Sequence, residues 1–106
     1  MTDQNTKDCI QACLDCTAAC ETCIDCCIGD AAMADCLRLC LDCAEICQAC
    51  ARAMSRGSPF AADWCALCAK ICDACATECA KHDKEACQLC ADACRRCAAA
   101  CKSMAA

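Results

Sequence analysis

Cysteine is the residue that sets the chemistry of this sequence, because it supplies 22 of the 106 residues. A cysteine thiolate is a soft ligand that prefers Cu(I), Zn(II) or iron–sulfur clusters to hard cations. A share this high in a short chain is typical of a disulfide-rich or a metal-binding protein. The positions of the cysteines therefore carry most of the functional information.

The cysteines form four runs in which steps of three and four residues alternate. This is the 3.5-residue heptad, which places side chains along one seam of a helix. The spacing puts 21 of the 22 cysteines on such seams, and the exception is Cys26, beside Cys27. We predict all 22 as metal ligands. The four runs are Cys9, Cys13, Cys16, Cys20, Cys23, Cys26 and Cys27; Cys36, Cys40, Cys43, Cys47 and Cys50; Cys65, Cys68, Cys72, Cys75 and Cys79; and Cys87, Cys90, Cys94, Cys97 and Cys101.

The breaks between the runs contain residues that end and begin helices. Gly29 predicts the end of the first helix, and Asp30 predicts the N-cap of the second. The triplet 57–59, Gly-Ser-Pro, predicts a helix end, an N-cap at Ser58 and a first helical residue at Pro59. The sequence therefore predicts four long helices.

The composition favours the same fold. The chain has 25 alanines, two glycines, one proline, and no valine or tyrosine. Such a composition favours helix over strand. Short connections between long helices favour antiparallel neighbours. We predict an all-α protein, an antiparallel up-down-up-down four-helix bundle with a cysteine-lined core, forming a single domain over residues 1–106.

Charge balance distinguishes Cu(I) from zinc as the ion for such a core. A buried charge without a partner is very costly. One Cu(I) per thiolate cancels the charge, whereas zinc with four thiolates keeps two negative charges. Cu(I) also accepts two or three sulfurs, so pairs on one helix can bind it, and capacity approaches roughly one ion per cysteine, on the order of 20. The expected pairs include Cys9 with Cys13, Cys36 with Cys40, Cys68 with Cys72, and Cys90 with Cys94.

Four further residues extend the seams beyond the cysteines, namely Met33, Met54, His82 and Met104. Thioether and imidazole groups bind soft or borderline metals. One hypothesis is that these residues pass Cu(I) inward at one or both ends of the bundle. The alternative is that the methionines fill the bundle ends as flexible apolar residues and that His82 is solvated in a polar loop.

The remaining sequence features restrict partners and location. The formal charge is −5 and the basic residues are scattered, so we expect no nucleic-acid partner. The residues before Cys9 lack the apolar stretch of a signal peptide, and no run is long enough to span a bilayer. We expect a cytoplasmic protein with no membrane partner. Cytoplasmic thiols stay reduced, which favours metal binding over disulfides.

Three other interpretations compete with Cu(I) binding. One is a metallothionein-like zinc or cadmium buffer, although regular helices are unlike chains that wrap loops around clusters. Another is a redox enzyme using a CxxC pair such as Cys13 with Cys16, but the βαβ pattern that accompanies such motifs is not apparent. We expect no enzymatic activity. The third is a secreted bundle stapled by disulfides between helices.

The CxxxCxxC spacing on four consecutive helices, with Met or His at the seam ends, resembles the cytosolic branch of the bacterial copper storage proteins. The likeness covers essentially the whole chain. It implies a four-helix bundle that holds Cu(I) inside and assembles as a homotetramer. Copper ions are then the cargo, and a copper chaperone or a copper enzyme is an expected partner.

Larger apolar side chains beside the seams give separate support for an oligomer, because part of such a stripe can remain exposed and seek a partner. These residues are Ile10, Leu14, Ile24, Ile28, Leu37 and Leu41.

Overall fold

The computed structural model describes residues 3–105, and within that range it contains four α-helices and no β-strand. A short 3₁₀ turn, Ala31–Met33, leads directly into the second helix. The predicted all-α fold is therefore confirmed. The helices are α1 (Gln4–Cys27), α2 (Ala34–Ser55), α3 (Ala61–Cys79) and α4 (Glu85–Ala105).

The first helix break follows the prediction closely. The Asp3 carboxylate caps α1 by accepting a 2.8 Å hydrogen bond from the Thr6 amide. Gly29 adopts the left-handed backbone, at φ 85°, just after α1 ends. The Asp30 carboxylate then accepts from the Ala32 amide at 3.1 Å and caps the turn that opens α2.

The second break differs from the prediction in where the next helix begins. Gly57 has φ 65° and ends α2 as expected. However, α3 begins at Ala61, two residues after the predicted first helical residue, Pro59. The Ser58 hydroxyl accepts from the Phe60 amide at 3.1 Å, and the Ser58 carbonyl accepts from the Ala61 amide at 3.1 Å. These local bonds form a turn before the helix, which delays its start.

The four helices pack in a ring, with α1 beside α2 and α4, and α3 beside α2 and α4. Cysteine pairs show the antiparallel sense, because Cys16 meets Cys43 and the later Cys23 meets the earlier Cys36. The resulting bundle measures 44 × 18 × 17 Å between Cα atoms. The predicted up-down-up-down arrangement is confirmed.

The core consists almost entirely of cysteine and alanine. The larger buried side chains that join them are Met33, Ile46 and Met54, and no charged or polar side chain is buried among residues 3–105. Alanines flank the cysteine seams on α2, α3 and α4, and such small side chains let helices approach closely. The thiols therefore meet along the bundle axis.

The helices show no segment suited to crossing a membrane, since within the described residues none is both long enough and apolar enough.

Candidate metal site

The buried thiols are arranged as five layers of four, stacked along the bundle axis, with one cysteine from each helix in every layer. Cys27 extends the α1 seam beyond layer 5 and is also buried. Layer 1 is Cys9, Cys50, Cys65 and Cys101; layer 2 is Cys13, Cys47, Cys68 and Cys97; layer 3 is Cys16, Cys43, Cys72 and Cys94; layer 4 is Cys20, Cys40, Cys75 and Cys90; and layer 5 is Cys23, Cys36, Cys79 and Cys87.

Sulfur–sulfur distances make these layers one continuous network. In layer 3 the Cys16 sulfur lies 3.7 Å from that of Cys43 and 3.6 Å from that of Cys94. The Cys16 and Cys20 sulfurs, 4.0 Å apart, connect layer 3 to layer 4. Similar contacts join the other layers, so an ion at one position has further sulfurs within reach on both sides.

Contacts between helices are as important as the pairs expected along one helix. Two of those expected pairs are in sulfur contact, Cys68 with Cys72 at 3.8 Å and Cys90 with Cys94 at 3.9 Å. The other two, Cys9 with Cys13 and Cys36 with Cys40, are not within 4.0 Å; instead Cys36 meets Cys79 across the interface at 3.5 Å. One helical turn separates residues i and i+4 by about 6 Å in rise, whereas facing helices bring their thiols directly together. Metal binding by the Cys9–Cys13 and Cys36–Cys40 pairs stays a prediction that requires their side chains to rotate toward each other.

The spacing of the sulfurs suits a soft metal ion. A zinc–sulfur bond is about 2.3 Å long. With bonds of that length, two sulfurs bound to the same ion are about 3.8 Å apart in a tetrahedral site and about 4.6 Å apart in a linear one. Several sets of four cysteines have all their sulfurs within 4.8 Å of one another, including Cys16, Cys43, Cys47 and Cys72. The helices need little movement to bind an ion. All 22 cysteines are free thiols.

Burial and contacts between thiols shift the pKa values of the cysteines in both directions. Contacts with Cys101 and Cys13 lower the pKa of Cys68 to about 6 and that of Cys97 to about 7. Burial raises the pKa of Cys27 to about 11. The contact with Cys101, together with burial, raises the pKa of Cys9 to about 11. Burial also raises the pKa of Cys65, next to Met54. No buried cation is available among residues 3–105 to stabilise a thiolate. Burial without a counter-charge therefore favours the protonated form, and each protonated thiol must release its proton to bind a metal.

One end of the bundle is open to solvent beside two methionines. The Met54 sulfur is buried and lies 3.7 Å from the sulfur of Cys65 in layer 1. A cleft of about 240 Å³ reaches this point and is lined by Met104 as well as Met54. Asp3 and Thr6 form part of its rim. We call this the Met54 end.

The opposite end, which we call the His82 end, contains Met33 and His82. Met33 is buried to the same degree as Met54, since each exposes 4% of its surface. The His82 ring nitrogen Nε2 lies 3.0 Å from a carboxylate oxygen of Glu78, and both side chains are largely shielded. The bond to His82 lowers the pKa of Glu78. The seam pattern did not predict Glu78 as a partner, although its position four residues before His82 is compatible with such a contact.

Cys26 differs from the other cysteines, as its spacing predicted. It is half-buried and makes none of the sulfur contacts found along the seam within residues 3–105. Its backbone carbonyl accepts a long 3.5 Å bond from Lys84, which also pairs with Asp30 at 3.3 Å. These contacts fix the helix end and leave the thiol beside the column of layers.

Comparison with known proteins agrees with this geometry. A family model described as copper storage protein matches residues 2–106. The chain belongs to the copper storage protein family.

Several members of this family, or proteins similar to them, align over nearly their full length. The chain is 48% identical over 107 residues to the uncharacterised cysteine-rich protein YhjQ of Bacillus subtilis, covering 98% of this chain and 99% of that protein. It is 48% identical to the Cu(I)-bound copper storage protein BsCsp3 of Bacillus subtilis, with a TM-score of 0.92 and coverage of 97% and 100%. A cytosolic copper storage protein from Streptomyces lividans, with five coppers, is 37% identical, with a TM-score of 0.89 and coverage of 96% and 92%.

The raised pKa values predict how the stability of the metal-free bundle depends on pH. A thiol titrates at about 8.5 in the unfolded chain and at about 11 when buried as Cys9 or Cys27. Above pH 8.5 or so the unfolded state therefore binds fewer protons than the folded state, and stability falls as the pH rises. We expect the urea midpoint, measured anaerobically by circular dichroism, to decrease from about pH 8.5 upward.

A double variant, Cys9→Ala with Cys27→Ala, is the control for this measurement. It lacks two of the responsible thiols, so its midpoint should decrease less over the same pH range. A wild-type midpoint that stays constant up to about pH 10 would contradict the neutral-thiol core.

Proposed function

We propose that this protein stores copper by binding many Cu(I) ions through the cysteine thiolates inside its bundle. The observation that carries the proposal is the continuous column of sulfurs, in which neighbouring thiols of different helices lie 3.5 to 3.9 Å apart. A catalytic or structural metal site needs one set of ligands. A repeated set along the whole axis is suited to holding many ions.

Charge balance favours copper over zinc as the cargo. The sets of four sulfurs are also of the size that zinc requires. However, zinc bound to four thiolates keeps two negative charges, and the core has no buried cation among residues 3–105 to neutralise them. Cu(I) cancels one thiolate charge per ion. Bridging thiolates then allow roughly one ion per seam cysteine, on the order of 20 for the chain.

The wider properties of the protein follow from the family and the bundle. We propose that the chain acts as one domain, since the four helices close a single ring around one core. The Streptomyces relative is described as cytosolic, which supports a cytoplasmic location. We also propose that the protein forms a homotetramer, as the family resemblance implies. It then exchanges copper with a chaperone or a copper enzyme. The role is that of a cargo-binding protein and not of an enzyme.

An anaerobic Cu(I) titration against a chromophoric Cu(I) chelator tests this function. We expect the reduced protein to take up many ions, on the order of 20 per chain, with zinc failing to displace them. Replacing the four cysteines of layer 3 by alanine should lower the capacity by about four ions if copper binds at roughly one per thiolate. Elemental analysis of the bound metal measures both numbers.

Cys26→Ala is the matched control, since Cys26 lies beside the column and its loss should remove at most one ion. Saturation of the wild-type protein with a few zinc ions, and no more copper than zinc, would support the buffer interpretation instead. Equal capacity in the wild-type protein and the layer 3 variant would place the copper elsewhere.

A second proposal concerns the methionines and the end of the bundle at which copper enters. The Met54 end is open, and Met54 already contacts a layer 1 thiol. We propose that Met54 and Met104 bind incoming Cu(I) and pass it to the thiolates of layer 1, since thioethers bind Cu(I) without needing to lose a proton. Replacing both by leucine keeps the apolar volume. We expect stopped-flow uptake to slow several-fold while the final capacity stays the same.

The His82 end provides the comparison. His82 is engaged with Glu78, whereas Met54 contacts a layer 1 thiol, so the pair Met33→Leu with His82→Ala should change the uptake rate much less. If this second pair alone slows uptake, copper enters at the His82 end. If neither pair has an effect, the four residues serve only to fill the bundle ends.

A further inference from the structure

The outer face of α3, away from the cysteine layers, carries a regular apolar stripe. Leu67 and Ala74 lie on one side of α3 because they are seven residues apart, and Phe60, the cap residue just before Ala61, continues the same spacing. All three are exposed, with 63% of the Phe60 surface and 46% of the Leu67 surface accessible to solvent. An exposed stripe at heptad spacing is the pattern of a helix that packs against another helix.

Two opposite charges flank this stripe. Asp63 and Lys70 are also seven residues apart, and both are exposed. Neither residue forms a salt bridge with any part of the chain between residues 3 and 105, although six other lysines, arginines or histidines there pair with acidic residues. Asp63 and Lys70 are thus free to pair with another molecule.

The stripe and the charges are complementary to a second copy of themselves. Phe60 and Ala74 lie at equal distances on either side of Leu67, about 10 Å along the axis. In an antiparallel pair of α3 helices centred on Leu67, the large Phe60 therefore faces the small Ala74 of the other copy. The same arrangement brings Asp63 close to the Lys70 of the other copy. A parallel pair would instead place like charges opposite each other, which is unfavourable.

We propose that two copies of this protein associate through antiparallel α3 helices, with Leu67 on the two-fold axis. Trp64 and Ile71, which are half-buried against the chain's own core, border the contact. This contact surface rests on the proposed homotetramer and is separate from copper binding. Of the stripe beside the first two seams, Ile10, Ile24 and Leu37 pack against the core, and Leu14, Ile28 and Leu41 are exposed.

Sedimentation equilibrium at micromolar protein concentration tests the contact. The wild-type protein should sediment as a dimer or a larger assembly, and Leu67→Glu should lower its mass at least twofold, because a charge is buried at the axis. Leu89→Glu, which alters a similarly exposed leucine on α4, is the control and should keep the wild-type mass. Copper capacity should be the same in all three proteins.

Charge reversal tests the antiparallel pairing itself. Asp63→Lys and Lys70→Asp should each weaken association about tenfold or more, and the double variant should restore it, since it exchanges the two charges without changing the net charge.

Each contrary outcome has a separate meaning. A monomeric wild-type protein would overturn both the oligomer and this contact. A wild-type assembly that Leu67→Glu leaves intact, or a double variant that fails to recover, would overturn the α3 contact alone. A wild-type protein that assembles but binds no copper would contradict the storage function and would not affect the proposed α3 contact.

Discussion

The close packing of uncharged thiols is the constraint on which the rest of the structure depends. Twenty sulfurs in five layers, with Cys27 beyond them, occupy a core in which no charged side chain is buried among the described residues. Each sulfur can be neutral only with a proton or with a soft cation bound to it. A monovalent soft ion replaces the proton without changing the charge of the core. The same geometry that keeps the empty bundle neutral therefore prepares it for Cu(I).

This constraint also explains the unusual composition of the interior. Cysteine and alanine bury little apolar surface, so the bundle gains less from the hydrophobic effect than one built from leucine. In return, small side chains allow the helices to approach until thiols of different helices touch, as Cys36 and Cys79 do at 3.5 Å. Metal bound to the folded state alone then adds stability that the apolar core does not supply.

The heptad spacing was sufficient to predict the helices, the bundle and the off-seam position of Cys26, because periodicity reports which side of a helix is buried. It could not predict which thiols meet, since this depends on the relative heights of the helices. Both Cys36 and Cys40, for example, lie in contact with Cys79 of the facing helix. The late start of α3 depends on local bonds of Ser58, and the contact of His82 with Glu78 depends on side-chain orientation. The outer stripe of α3 also has heptad spacing in the sequence, but it has only three members and was not predicted beside the much longer cysteine pattern.

Anomalous diffraction from crystals of the Cu(I)-loaded protein, with data on both sides of the copper absorption edge, tests the central claim most directly. Storage inside the bundle predicts a row of copper peaks along the axis, each bonded to sulfurs of the five layers or of Cys27. Peaks confined to the bundle ends or to the exterior, with the layers free of metal, would contradict it.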